Sequence, residues 1–487
     1  MGGASIAYLD SPAAVVHNPA NLAATQDSQQ EFDITTLMVQ LQGSFAGAQN
    51  TQESPWIIAP LPLMGYQKRI SDRWTAGAAF YFALGFGGGY NKVKQYGTGK
   101  PCTTSLMQIL TFPTADSVAL NNDAINNDYC PPSPRKESVQ LAIMELAFPF
   151  SYEVTDNLRL GVALRFPFGS FSQKTSEDIT GAFGDPNHPV GSYGLGYAQV
   201  QSKMWGIGNP GILLGATYDV TPYFSVAATY RSKVTTTMKG KTQMFLDSNI
   251  LVKEAMDQLG GLPVGELATL LNSIPEIGPL LAAQTSDTLG SFANRIATDI
   301  DSKLSFSIGK EIVLGMALKV TPNVLFAADW KHLYTADANK NFIVNLTEPL
   351  FEQTGLSSLG QTLNWKDAYL WCFGLEFSLP QNQKFRVGYS VGNSATPATY
   401  ANAFTPPPAD KQDSYYVGYG FVDGKWNFDF GFNYAKVDYT IPQPYDSNGN
   451  PVDTPTCRPG QLVKSGCPGP MGVKQYMVSM SANYKLP

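Results

Sequence analysis

The chain has 487 residues, of which 15% are charged and 43% hydrophobic, and its net charge is −6. Soluble domains carry roughly 25% charged residues, so this composition argues against a string of soluble domains, and the apolar content excludes intrinsic disorder. No Lys/Arg run or basic tail is present, which speaks against nucleic acid as a partner. Three scattered histidines, His17, His188 and His332, speak against a histidine-rich metal site.

The chain opens on an apolar segment, Ala13 to Ala24. Further on, the uncharged stretch Trp74 to Asn91 is long enough to cross a membrane as a helix. Yet it contains Gly77, Gly85, Gly87, Gly88 and Gly89, and it alternates strictly. Trp74, Ala76, Ala78, Phe80, Phe82, Leu84 and Phe86 fall on one face, which predicts a strand. The same period of two recurs in Leu158 to Phe168, Phe224 to Tyr230, Phe385 to Val391, Trp426 to Tyr434 and Tyr476 to Tyr484. One face of each run is large and apolar. The other is mostly Gly, Ser, Ala and Asn with an occasional Arg, where a soluble sheet would show Lys and Glu. A barrel with lipid outside and a lumen inside needs this pattern, and it must close because hydrocarbon cannot satisfy an open sheet edge.

Short polar turns sit at 70–74, 154–158, 220–224, 320–324, 379–385 and 422–426, each built from Asp, Asn, Pro, Gly or Thr. Longer segments separate them. The spacing predicts an all-β, 14-stranded antiparallel transmembrane barrel with strands at 31–45, 55–69, 74–90, 138–153, 158–171, 205–219, 224–243, 303–319, 324–345, 363–379, 385–394, 413–422, 426–440 and 472–485. Short turns belong on the periplasmic side and long loops outside. No signal peptide is visible, and an exported chain needs one, so the sequence is expected to lack its leader.

Several segments, taken together and in order, resemble the FadL/TodX family of outer-membrane transporters for hydrophobic compounds. Asp10 to Ala23 is similar to that family's hatch segment, with its Asn-Pro-Ala at Asn18, Pro19 and Ala20. Tyr230-Arg-Ser-Lys-Val234, Asn364-Trp-Lys-Asp367, Arg386-Val-Gly-Tyr389 and Phe404 to Asp410 resemble its later strand motifs. The resemblance covers nearly the whole chain. It implies a hatch at 1–30, shortened at its start relative to the family, and a barrel at 31–487. It implies passive uptake of a hydrophobic cargo across the Gram-negative outer membrane, with lateral release into the bilayer and no cofactor. Long-chain fatty acid is the first expectation. The alternatives are aromatic hydrocarbons by the same route, or a sealed structural or adhesive barrel. The barrel is expected to be a monomer amid outer-membrane lipid and lipopolysaccharide. The C-terminus, Tyr484-Lys-Leu-Pro487, departs from the terminal aromatic common in barrel proteins.

The candidate residues follow. In this family the third strand kinks inward and opens the wall; here Gly85, Gly87, Gly88 and Gly89 would permit the kink, against a plain flexible strand end. Lumen-facing Arg159, Arg165, Arg231, Lys331 and Arg386 are candidates for a carboxylate head group. The competing reading pairs each with a lumen acid such as Asp219, Asp329, Glu376 or Asp429. The segment 244–302 shows helical spacing in Leu251, Met256 and Leu259 and again in Leu267, Leu270 and Leu271, which makes it a candidate for surface capture or for a lid. Cys102 with Cys130, and Cys457 with Cys467, fit two intraloop disulfides, leaving Cys372 inward and free.

Enzyme motifs fail their context tests. Gly388 to Gly392 matches a nucleophile elbow but lies within a strand, and Gly206 to Gly211 leads into a strand where a dinucleotide fingerprint needs a helix. Asp446 to Asp453 lacks the glycine and final acid of a calcium loop, so no metal is expected. The chain is read as a non-enzyme; a hydrolase barrel would need a serine beside His332.

Overall fold

The computed structural model describes residues 1–9, 11–25, 27–45, 51–93, 135–178, 197–246, 299–347, 358–450, 457 and 465–486. The alternating runs form fourteen antiparallel strands. They are β1 (Gln29–Ser44), β2 (Thr51–Glu53 and Ile57–Arg69), β3 (Trp74–Val93), β4 (Arg135–Thr155), β5 (Leu158–Asp178) and β6 (Tyr197–Ile207 and Gly211–Thr221). Next come β7 (Phe224–Arg231 and Val234–Leu246), β8 (Ile300–Ile308 and Lys310–Thr321), β9 (Val324–Tyr334 and Asn341–Thr347) and β10 (Ser358–Thr362 and Ala368–Leu379). The circuit ends with β11 (Gln383–Gly392), β12 (Gln412–Asp423), β13 (Trp426–Ile441) and β14 (Gly469–Lys485). Each strand pairs with the next, and β1 pairs with β14 from Gln29↔Lys485 to Gln42↔Gly472, so the sheet is closed.

Closure satisfies the backbone, and the side chains divide by parity. Phe150, Leu160, Leu214, Leu314, Trp371 and Phe430 are exposed on the outside. Aromatic pairs mark the two rims of this band: Trp74 with Tyr152 (4.5 Å) and Trp426 with Tyr484 (4.7 Å) near the short turns, Tyr434 with Tyr476 (5.3 Å) toward the long segments. Among the described residues no helix is long and apolar enough to cross a membrane, which says nothing of a barrel.

The parity does not hold from rim to rim. β6, β7, β8, β9 and β10 are each interrupted at one level, after Ile207, Arg231, Ile308, Tyr334 and Thr362. The interruption reverses which residues face inward. β7 buries Ala227 and Thr229 on one side of it and Val234, Thr236 and Met238 on the other. A one-residue slip flips every later side chain. β3 does the same with a bulge between Phe82 and Leu84. The strict alternation from Trp74 to Phe86 is therefore corrected: Leu84 and Phe86 point inside, where they pack on a buried cluster containing Met204, Met238, Leu304, Phe306 and Phe342. Among the described residues, the long-segment half of the barrel holds this apolar core, and the short-turn half keeps a polar lumen.

Candidate functional site

Residues Ala14–His17 form one helical turn and Pro19–Ala24 a 3-10 turn, both held inside the barrel. Asn18 is the pivot. Its Oδ1 accepts from Ala20 N–H (3.1 Å), and its Nδ2 donates to Ile6 O (2.7 Å) and Thr217 Oγ1 on β6 (2.8 Å). Asn21 Nδ2 also donates to Ile6 O, and Thr217 Oγ1 donates to Asn21 Oδ1. Pro19 opens the 3-10 turn, where its missing N–H costs nothing. Ala20 is fully buried, and its carbonyl accepts from Ser151 Oγ on β4 (2.8 Å). The wall makes room with glycine. A Cβ on Gly215 would lie 2.0 Å from Asn18 Oδ1, and one on Gly161 2.3 Å from Ala20 N. Asp329 Oδ2 on β9 accepts from Ser5 N (2.7 Å) and Ile6 N (3.3 Å), so this acid holds the N-terminal segment where the sequence suggested a lumen cation as partner.

The five predicted cations all face the lumen but differ in state. Arg159 Nη2 donates to both Asp219 oxygens (3.0 and 2.9 Å). Arg386 donates to Glu376 Oε2 (2.7 Å) and to Asp429. Arg165 grips Glu145 with two donors, and neither side chain of this pair is exposed. Arg231 donates to Val16 O of the helical turn and lies 3.8 Å from Glu145. Glu145 and Tyr81, whose hydroxyl donates to Glu145, were missed in sequence; their inward parity on β4 and β3 was the available signal. Lys331 has no hydrogen-bond or ion-pair partner among the described residues. It stands beside Gly3, its Nζ 3.8 Å from where a Cβ there would lie. Burial, reinforced by Lys331 and Arg231, pushes the His17 imidazole down to about 3, so it is held neutral.

Below these groups, at the short-turn end, lies a polar cavity of about 1100 Å³ lined by Arg159, Asp219, Glu31, Lys384 and Arg386. Above them the wall changes. β3 pairs with β2 only from Arg69↔Thr75 to Leu63↔Tyr81. Beyond Tyr81, β3 stays on β4 while Ile57–Pro62 of β2 pair with β1 alone. The change of course is made by the bulge at Ala83 together with the predicted glycines. Gly87 has φ +130°, and Gly88 runs so close to β1 and β2 that a Cβ would lie 2.4 Å from Leu41. Gly85 and Gly89 complete the small-residue run in the diverging part. Phe86 is carried to Phe306 (5.4 Å), Phe342 (5.8 Å) and Trp365 (6.2 Å) on the far side. Tyr90 OH donates to Ala403 O in the segment before β12 (2.6 Å). At the foot of this divergence the lipid face carries a groove of about 660 Å³ lined by Phe32, Met64, Phe80, Leu146 and Ala482.

Cys457 and Cys467 are bonded, and Gly466 N donates to Ala401 O (2.6 Å), which ties Gly466 to the segment before β12. Cys372 is buried and free. Cys102, Cys130, Leu251, Met256, Leu259, Leu267, Leu270 and Leu271 lie outside the described residues. His332 faces outward, stacked between Tyr334 and Tyr369, with Nε2 3.3 Å from Asp367 Oδ2. No cluster of metal-ligating side chains occurs among the described residues.

Residues 118–485 match the family model described as outer membrane protein transport protein (OMPP1/FadL/TodX). A FadL homologue of Pseudomonas aeruginosa has a similar fold, with a TM-score of 0.65 at 13% identity over 99% of this chain and 96% of that one. The toluene transporter TbuX of Ralstonia pickettii gives a TM-score of 0.60 at 16% identity, covering 100% and 97% of the two chains. The toluene transporter TodX of Pseudomonas putida gives 0.61 at 14% identity, covering 100% and 96%. Comparison with functionally curated proteins gives no match.

Proposed function

Because this chain belongs to the OMPP1/FadL/TodX family of outer-membrane transport proteins, we propose that it admits hydrophobic small molecules passively through the side of the barrel. The carrying observation is the separation of β3 from β2 beyond Tyr81, with an apolar groove on the lipid face at its foot and an apolar, aromatic-rich cluster inside. A cargo entering from the long-loop rim meets that cluster first. It then leaves between β2 and β3 into lipid, without passing the hydrogen-bonded N-terminal turns or the polar cavity beneath them.

Long-chain fatty acid is the preferred cargo. Its acyl chain suits the Phe86, Phe306, Phe342 and Trp365 cluster, and Lys331 is a lumen cation with no ion-pair partner among the described residues, its neighbour Asp329 being engaged by the N-terminal segment. Arg159, Arg165 and Arg386 are committed to acids, which favours a second reading in which the cargo is an uncharged aromatic hydrocarbon. Uptake of labelled oleate and of labelled toluene separates the two, in cells that lack their own transporter and express the wild-type barrel or Lys331→Ala. Oleate uptake that falls in Lys331→Ala supports the fatty-acid reading. Toluene uptake indifferent to Lys331 supports the hydrocarbon reading. If neither cargo enters through a folded surface barrel, transport of these two cargo types is refuted and the sealed structural role moves ahead.

A further inference from the structure

The outer face of β6, β7 and β8 carries a feature that transport does not use. Along β6 the outward residues run from Tyr218 through Leu214, Ile212, Ile207 and Trp205 to Lys203. The apolar series is well exposed, with Ile207 at 64% and Trp205 at 71%. Tryptophan at the end of such a series marks the membrane–water interface. Lysines begin at its own level, where Lys239 stands opposite Trp205, and continue one step further out with Lys203. Lys203 stands directly opposite Lys241 on β7, and Lys239 stands directly opposite Lys303 on β8. Directly opposed like charges across strands are destabilising. Here two such pairs lie on adjoining rows of an acidic protein. Lys241 has one exposed acid, Asp301, at 2.8 Å. Lys203, Lys239 and Lys303 have no carboxylate partner among the described residues. Next to them, toward the lipid belt, the outward hydroxyl pair Thr237 with Ser305 (3.1 Å) offers hydrogen bonds of the kind a sugar takes.

A cationic band that begins level with a lipid-facing tryptophan and extends outward from it, with a hydroxyl pair on its lipid side, matches one ligand chemistry. We propose that Lys203, Lys239, Lys241 and Lys303 seat the phosphorylated sugar headgroup of an outer-leaflet glycolipid, with Trp205 and Ile207 against its acyl chains. The opposed lysines are then neutralised by the lipid and not by the protein. The proposal rests on the long-loop rim facing outward and is independent of the cargo.

The test uses the full barrel in detergent micelles, with native mass spectrometry reading bound lipid. The probes are bis-phosphorylated lipid A, the same lipid with its phosphates removed, and inorganic pyrophosphate as competitor. The triple variant Lys203→Gln/Lys239→Gln/Lys303→Gln is compared with Lys68→Gln, an exposed outward lysine near the opposite rim, and both are checked for folded mobility on gels. The expected result is that the triple variant loses lipid A binding by on the order of tenfold to a hundredfold, since each lysine near an anionic surface contributes about 1 kcal/mol. Lys68→Gln and wild type should bind alike, and the dephosphorylated lipid should bind as weakly to wild type as lipid A does to the triple variant. Equal lipid A binding by the triple variant, or equal binding of the dephosphorylated lipid, overturns the proposal. Displacement of lipid A by submillimolar pyrophosphate also overturns it, by making this a site for a soluble anion.

Discussion

Arg165 and Glu145 have no exposed side-chain surface, so their charges are met by one another, by the Tyr81 hydroxyl, by the Ser232 carbonyl and by the more distant Arg231. Breaking a buried pair from one side costs about 3–5 kcal/mol, whereas replacing both partners by apolar groups is often nearly neutral. Arg165→Ala should therefore lower the denaturant midpoint of the folded barrel sharply, and Arg165→Met/Glu145→Leu should restore much of it; gel mobility across a urea series reads both. His17 adds a pH dependence. Its value falls from 6.5 in the free chain to about 3 when the segment is docked, so the docked state binds fewer protons. Docking is then fully stabilised above 6.5, loses stability as pH falls through that window, and has lost this contribution below about 3. A fluorophore on the N-terminal segment should report release on acidification, and His17→Gln should remove that part of the pH dependence. An unchanged profile in His17→Gln would assign the release to other groups.

At the scale of the strand, Ala83 sets the direction of the wall. Its bulge moves Leu84 and Phe86 from the lipid phase of the alternation to the interior and coincides with the loss of pairing to β2. Deleting Ala83 makes Phe82↔Met144 and Leu84↔Ile143 successive pairs, so Leu84 and Phe86 keep their inward phase while the bulge is lost; this should extend β2–β3 pairing beyond Leu63 and cut uptake of the cargo several-fold while the barrel still folds. Uptake at the wild-type rate would rule out this opening as the exit. The same bulge explains what was legible. Alternation and turns predicted the strand count and the lumen parity of Arg159, Arg165, Arg231, Lys331 and Arg386, because those residues lie on the short-turn side of the breaks. Leu84 and Phe86 lie beyond one, and a single-phase reading puts them on the wrong face. The breaks themselves fall in short motifs noticed for another reason: Tyr230 to Val234 spans the break in β7, and Asn364 to Asp367 the break in β10. Asn364 has φ 40° there, a left-handed conformation that ends a strand segment. The partner of Arg165 stayed hidden because two positions facing one lumen from neighbouring strands can be paired only when the register is known, here Ala147↔Arg165 with Glu145 one inward step away.

On the scale of the whole barrel, the two halves of the interior set opposite costs for a greasy molecule. The half near the long segments is lined by Phe86, Phe306, Phe342, Met238 and Leu304; the half near the short turns holds Arg159, Asp219, Arg386 and Asp429 around its cavity. Each methylene exposed to water costs about 0.8 kcal/mol, so taking a sixteen-carbon chain through the polar half would cost on the order of 10 kcal/mol. Between the halves sit the N-terminal turns, fixed by Asn18, Asn21 and Asp329. The low-cost path therefore ends in the wall and not at the far rim. On this reading free energy comes only from the cargo's own gradient. In outer-membrane vesicles whose outer leaflet is lipopolysaccharide, the transported cargo, oleate or toluene, should reach the same final level with wild type and with the Ala83 deletion, arriving more slowly in the latter. Glucose should not enter faster than in vesicles without the barrel. Accumulation beyond the partition equilibrium would rule out passive transfer, and rapid glucose entry would mean that the N-terminal turns do not seal the axis.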